Sequence, residues 1–246
     1  MNKLQQAVHE YLAMRRSLGF KLQRAGPALQ PYLYSDQEIQ QLLHATLYMP
    51  LSPRHRKRCA LLPWVYYCLF RLLSVSGLRL GEARNLRLQD VDLKAGVLTI
   101  RGAKFGKDRL VPLHASTCEV LADYIARRQH HWAGRPVSSY LFVSSWGNRL
   151  DNGQIHRAFY AASRQIGLRG ASDSHGPRLH DLRHRFATTT LVNWYRSNQE
   201  PVHRLPLLSA FLGHVHVADT QWYLNASPEL MREAMSRLER HWQQRS

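Results

Sequence analysis

Leu4, Val8, Leu12 and Leu18 recur at helical spacing, with Arg15 between them, and predict a helix over residues 1–24. Gly26, Pro27 and Pro31 break that pattern, so 25–34 reads as a linker. Ser35 with Glu38 three residues on forms a capping box that starts the next helix. The run "CALLPWVYYCLF", Cys59 to Phe70, is nearly uncharged, too short to span a bilayer, and ends at Arg71. It reads as a buried helix over 60–75 that stops at Gly77. Another helix follows from about Leu80, with Glu82 favourably placed in its first turn. "GVLTI" (96–100) and "RLVPL" (109–113) are rich in branched residues and predict a β-hairpin whose longer loop holds Gly102 and Gly106. "YLFVS" (140–144) reads as a third strand. Helical patterns occupy about 115–130, 152–167, 178–195, 205–212, 216–223 and 228–242. In the last of these, Ser227 is the N-cap, Pro228 sits in the first turn, and Leu230, Met231, Ala234, Met235, Leu238 and Trp242 form an apolar stripe. The fold class that follows is mainly α with a small antiparallel β-sheet, an α+β domain.

Charge changes this picture more than composition does. A hydrophobic content of 44% in 246 residues is ordinary. A net charge of +17 and a pI near 10.4 are not, and they point to a polyanionic partner, nucleic acid first. Residues 51–110 alone carry +9 of that surplus. The run "RHRKR" supplies Arg54, Arg56, Lys57 and Arg58, which read either as a solvated loop or as phosphate contacts. Lys107 and Arg109 join them as candidate DNA contacts. A membrane surface is the rival partner, but no basic amphipathic helix with a lipid face is found. Met1 is not followed by a signal-peptide pattern. Cys59, Cys68 and Cys118 match neither a disulfide framework nor a zinc pattern, as expected of a reduced cytosolic chain.

Four short patterns carry candidate chemistry, and each has a plain alternative when taken singly. "SGLRLGEARNL" sets Arg79 between two glycines, where a surface arginine at a helix start would also fit. "IRGAKFGKDRLVPL" puts Lys104 and Lys107 on the hairpin loop, an ordinary place for lysine. "HDLRHRFAT" spaces His180 and Arg183 three apart, on one helix face beside a stripe of Leu179, Leu182 and Phe186. "LGHVHVADTQWYL" follows His214, after nine residues, with Tyr223, which is either core beside Trp222 or a nucleophile. The i,i+4 pair His180 and His184, and the pair His214 and His216, could also hold a metal. Arg183 and Arg185 would repel a cation, and no H-E-x-x-H glutamate is present.

In this order and spacing the four patterns resemble the tyrosine recombinase (phage integrase) family over about residues 32–242. The family motif is Arg, Lys, His-x-x-Arg, His or Trp, then Tyr. Arg79 stands in the family's G-L-R-x-x-E setting with Glu82, and Lys104 in its K-G-x-K-x-R-x-V-P-L hairpin. His180 and Arg183 match the central pair, His214 the L-G-H histidine, and Tyr223 the nucleophile. The resemblance implies site-specific strand exchange on double-stranded DNA through a covalent 3′-phosphotyrosine. In that reaction Tyr223 attacks, His180 accepts its proton, Arg79, Arg183 and His214 stabilise the phosphate, and Lys104 protonates the leaving 5′-oxygen. Arginines then supply the field, and no metal or other cofactor is called for. Residues 1–31 match only the beginning of the family's N-terminal DNA-clamping domain and read as its remnant, with 32–246 as the catalytic domain. The expected partners are a homo-oligomer on DNA, a tetramer of protomers in the synapse, and an accessory or partner recombinase. The C-terminal helix packs on its own core or docks on the next protomer. Two other outcomes stay open, a type IB topoisomerase-like activity and a truncated DNA-binding module of the same fold.

Overall fold

Ser35 opens the first described helix as its sequence predicts. Its hydroxyl accepts the Glu38 N–H at 3.2 Å, and the Glu38 carboxylate accepts the Ser35 N–H at 2.7 Å. The structure is a computed structural model that describes residues 31–49, 60–102, 108–173, 175–197, 199, 201–225 and 228–243. The expected helix over 1–24, the candidate contacts Arg54, Arg56, Lys57 and Arg58, and the loop residues Lys104 and Lys107 lie outside them.

Helix α1 (Asp36–Leu47) packs on α2 (Leu62–Ser76), the apolar helix predicted from its unbroken hydrophobic run. Helix α3 (Leu80–Asn85) follows, then a 3₁₀ turn (Leu88–Asp90) and the strands β1 (Val91–Asp92), β2 (Val97–Ile100) and β3 (Arg109–Pro112). The three strands form an antiparallel sheet in the order β1-β2-β3, with Leu98 opposite Val111. Helices α4 (Ala115–Trp132) and α5 (Asn152–Gln165) complete this half. Helix α6 (Asp181–Arg196) leads to α7 (Pro201–Leu212), a short α8 (Ala218–Gln221), a 3₁₀ turn (Trp222–Asn225) and α9 (Pro228–Gln243).

The third strand is not the one predicted. Residues 140–144 make only isolated bridges, Tyr140 with Arg87 and Val143 with Arg149, and β1 takes the third place in the sheet. Side chains occupy the carbonyls that a ladder would use. Tyr124 Oη donates to Leu141 O at 2.8 Å, and Arg128 Nη2 donates to Ser138 O and Tyr140 O at 2.6 and 3.0 Å. Leu141, Phe142 and Val143 are buried core filling, a role that a short apolar run does not distinguish from a strand. Helix α7 begins four residues before the expected 205. Pro206 stands inside it on the exposed side, where the lost backbone hydrogen bond is least harmful.

The buried apolar residues form two clusters. The larger joins α1–α5 and the sheet. The smaller gathers Ala187, Leu191 and Val192 of α6, Leu205, Leu208 and Leu212 of α7, Tyr223, and Leu230 of α9. Helix α6 packs on α2 as well as on α9, so it connects the two. Among the described residues no helix is long and apolar enough to cross a membrane.

Candidate active site

The C-terminal end of α7 organises the site. His214 N–H bonds back to Ser209 O at 2.9 Å and Gly213 N–H to Ala210 O at 3.0 Å, with Gly213 at φ +69°. This is a Schellman cap, which explains why a glycine stands between Leu212 and His214. The cap leaves the last carbonyls of the helix pointing outward at its negative end, where cations are favoured. Three arginines take them. Arg109 Nε bonds Phe211 O at 2.9 Å, Arg79 Nη1 and Nη2 bond Leu212 O and Gly213 O at 3.4 and 3.0 Å, and Arg183 Nη2 bonds Leu212 O at 2.8 Å.

Glu82 ties two of these arginines together. It accepts the Arg79 N–H at 2.8 Å as the N-terminal cap of α3, and Arg79 Nη1 at 3.0 Å. Its two oxygens also accept a bidentate pair from Arg109 at 3.0 and 2.8 Å. Burial raises the Glu82 pKa, but the hydrogen bonds from Arg109 and from the Arg79 backbone outweigh it and hold the carboxyl below its ordinary range. Arg109 was expected to contact DNA. Instead its side chain is 12% exposed and turned inward onto Glu82 and Phe211, so it supports the site from below.

Arg183 is almost wholly buried and donates Nη1 to Gly77 O, at the αL residue that ends α2 (φ 59°). A Cβ at Gly77 would meet Phe186 Cδ1 at 2.5 Å and Leu212 Cδ2 at 2.9 Å, so only glycine lets α2 approach this closely. Arg183 Nη2 also meets His214 Nε2 at 2.9 Å, while His214 Nδ1 lies 2.8 Å from Thr220 Oγ1. An arginine can only donate, so Nε2 accepts and Nδ1 carries the hydrogen toward Thr220. Burial and the Arg183 and Arg79 charges lower the His214 pKa to about 4, which keeps the ring neutral.

Tyr223 has its ring in the smaller core, 3% exposed, as the packing alternative expects. Its hydroxyl lies 3.2 Å from His184 Nδ1. Burial raises the phenol pKa, and Arg183 and Arg79 offset part of that rise. Arg79, Arg183, His214 and Tyr223 thus converge. Among the described residues His180 makes no hydrogen bond to the phenol, and His184 takes that place. His180 holds the N-cap position of α6 without a capping bond from its side chain and sets its ring edge-on to His184, with centroids 4.7 Å apart. Partial burial first, and then Arg183, lower its pKa. Sequence reasoning missed His184 and the inward role of Arg109. The available signal was the i,i+4 spacing of His180 and His184, which places both on one face of α6.

Three guanidiniums against one carboxylate leave a surplus of positive charge around the phenol, as a phosphodiester would require. The profile of the phage integrase family matches residues 33–229. The chain belongs to the phage integrase family, the tyrosine-type site-specific recombinases. It is 66% identical over 229 residues to a putative integrase/recombinase, y4rB, of Sinorhizobium fredii, covering 93% of this chain and 71% of that protein. The tyrosine recombinase XerA of Pyrococcus furiosus is 30% identical over 169 residues, 68% of this chain and 52% of that recombinase. Among solved structures, XerA recombinase aligns with a TM-score of 0.63 at 27% identity, over 86% of this chain and 66% of that one. XerH in a post-cleavage complex with a palindromic difH substrate aligns with a TM-score of 0.62 at 25% identity, over 88% of this chain and 56% of that one. The chain therefore spans between half and about seven-tenths of the length of these relatives.

Proposed function

We propose that this integrase-family chain cuts and rejoins double-stranded DNA at specific sites through a covalent 3′-phosphotyrosine, so as to integrate, excise, invert or resolve DNA. The observation that carries this reading is that two guanidiniums, Arg79 and Arg183, are fixed on the carbonyls of one helix end and that their charges act on the Tyr223 phenol. Attack by a protein hydroxyl stores the energy of the phosphodiester, and a phenol leaves readily enough for a DNA 5′-hydroxyl to reseal the strand. The Tyr223 oxygen bonds to phosphorus as its proton passes to a histidine at the start of α6, His180 or His184, the bond to the 5′-oxygen breaks, and that oxygen takes a proton from Lys104. Forming phenolate at pH 7 from an ordinary tyrosine costs about 4 kcal/mol; burial adds to that cost, and the Arg183 and Arg79 charges offset part of the addition. Arg79 keeps its Nε–H and one Nη2–H without a hydrogen-bond partner among the described residues, a donor edge suited to a phosphate oxygen. For His214 to donate to the same phosphate, its proton must shift to Nε2, which gives up the bond from Arg183 Nη2, and the Thr220 hydroxyl can then reverse and donate to Nδ1.

On this reading the protein works in the cytoplasm as a homo-oligomer on DNA. The test is a trapping assay without magnesium, using nicked suicide substrates made from the DNA that flanks its gene. An SDS-resistant protein–DNA adduct is expected, and Tyr223→Phe should abolish it while leaving binding intact. Binding without any adduct would overturn the reading in favour of a DNA-binding module. Relaxation of supercoiled plasmid without joining of two duplexes would mark a type IB topoisomerase-like activity. Lys104→Ala should cleave substrates with an activated 5′-leaving group normally and ordinary ones poorly; equal defects would remove Lys104 from the acid role.

A further inference from the structure

The family motif names one histidine of α6, His180, but the phenol meets another. Tyr223 Oη lies 3.2 Å from Nδ1 of His184, one helical turn deeper than His180. The His184 ring is boxed in, edge-on to His180 at 4.7 Å and against Trp222 and Tyr223 at 5.5 and 5.6 Å. It is half-buried and has little freedom to turn away. Burial, with His180 close by, lowers the His184 pKa to about 4, so the ring is neutral and one nitrogen is free to accept. The Arg183 charge favours the anionic form of the phenol, and a guanidinium can only donate, so where it meets the phenol oxygen it takes a lone pair and not the hydrogen. The hydroxyl hydrogen is then left to point at Nδ1.

We infer that His184 is the hydrogen-bond acceptor that fixes the Tyr223 hydroxyl, holding its hydrogen on Nδ1 and its lone pairs toward the phosphate held by Arg79 and Arg183. His180 stands behind it as the wall that fixes the His184 ring. The inference rests on the proposed covalent chemistry for its consequence and on the side-chain geometry for its substance. A fixed hydroxyl saves the search for an in-line orientation, which is where a misplaced nucleophile loses rate.

Two variants separate acceptor from packing. In His184→Asn the Oδ1 atom stands at the same distance from Cβ as Nδ1 and can accept the same hydrogen. In His184→Leu the bulk is retained and the acceptor is lost. Single-turnover adduct formation on suicide substrates is expected to fall about 100-fold or more in His184→Leu and to stay within about tenfold of wild type in His184→Asn. DNA affinity by gel shift should hold in both. Cleavage by His184→Leu at the wild-type rate would overturn the inference, and so would an Asn variant as slow as the Leu variant, because packing alone would then account for the residue. A second readout does not depend on activity. In long-range proton–nitrogen NMR spectra of the histidine rings, the His184 Nδ1 signal is expected to move on Tyr223→Phe, as a lost hydrogen bond requires, with the His184 signals assigned from their disappearance in His184→Asn. An unmoved signal overturns the inference. A moved signal with no adduct in the wild-type protein would instead sink the covalent reading and leave the hydrogen bond standing.

Discussion

Arg183 is a cation with 2% of its surface exposed, held by two main-chain carbonyls and one imidazole nitrogen. Burial, and then the neighbouring Arg79, draw its pKa down to about 10, so it remains charged at neutral pH. Arg183→Lys keeps the charge but cannot span Gly77 O and Leu212 O together. It is expected to lower stability by about 1–3 kcal/mol in urea unfolding and adduct formation by about 100-fold or more. Gly77→Ala forces a Cβ into the αL region, at a penalty of about 1–2 kcal/mol before the clash with Phe186 and Leu212 is counted. Its thermal unfolding should therefore shift clearly downward. Acid tests the histidines. His184 and His214 have folded pKa values near 4, against about 6.5 in the unfolded chain. Between those values the unfolded state binds more protons, so stability is expected to fall as pH drops from about 6.5 to about 4. The carboxyl of Glu82, held below its ordinary range, adds a further loss as pH falls through its folded pKa. A urea midpoint measured against pH checks both, and His214→Asn should flatten the upper part of the curve. Tyr223 and Arg183 are legible from spacing. The Tyr223–His184 contact is not, because it depends on how far the 3₁₀ turn carries the phenol back onto α6.

At the scale of elements, α3 and α7 share one acid. Glu82 is at once the cap of α3, the partner of Arg79 and the clamp of Arg109, whose other bond holds the last turn of α7. Glu82→Gln keeps the shape and removes the charge, leaving two guanidiniums close together. A loss of about 3–5 kcal/mol is expected, as for one partner removed from a buried ion pair, and is measurable by denaturant unfolding. The helices of this protein are well marked in the sequence by caps and glycines, as Ser35 with Glu38 and Gly213 show. Residues 140–144 are not, because Tyr124 and Arg128 claim their carbonyls from helix α4, and no local pattern encodes that. Arg109 misleads for a similar reason. A basic residue next to a basic loop looks like a phosphate contact until Glu82 is seen beneath it.

At the scale of the molecule, the candidate site lies where two apolar clusters meet. Arg79 and Arg109 are attached to the larger through α3 and β3, while Tyr223 and Leu212 belong to the smaller. The surplus of +17 adds a long-range field to this arrangement. If six phosphates are neutralised on binding, affinity is expected to fall about 1,000-fold between about 50 and about 200 mM salt. Fluorescence anisotropy with labelled duplex would show it, and a flat salt response would argue against a broad phosphate contact. The charge and its polyanionic implication are plain from composition alone. The two-cluster arrangement is not, because the apolar stripes of α6 and α7 do not announce which partners they will choose.

Leu212 O receives both Arg79 and Arg183, and its neighbours Phe211 O and Gly213 O receive Arg109 and Arg79. A main-chain oxygen has no codon of its own. Point substitutions that preserve the helix end leave these anchors standing, whereas one residue inserted between Leu212 and His214 would break the cap and shift His214 out of register with the carbonyls before it. Tolerance in this stretch should therefore track the number of residues more than their identity, and a length-scanning library would lose function at insertions that change none of the reactive side chains.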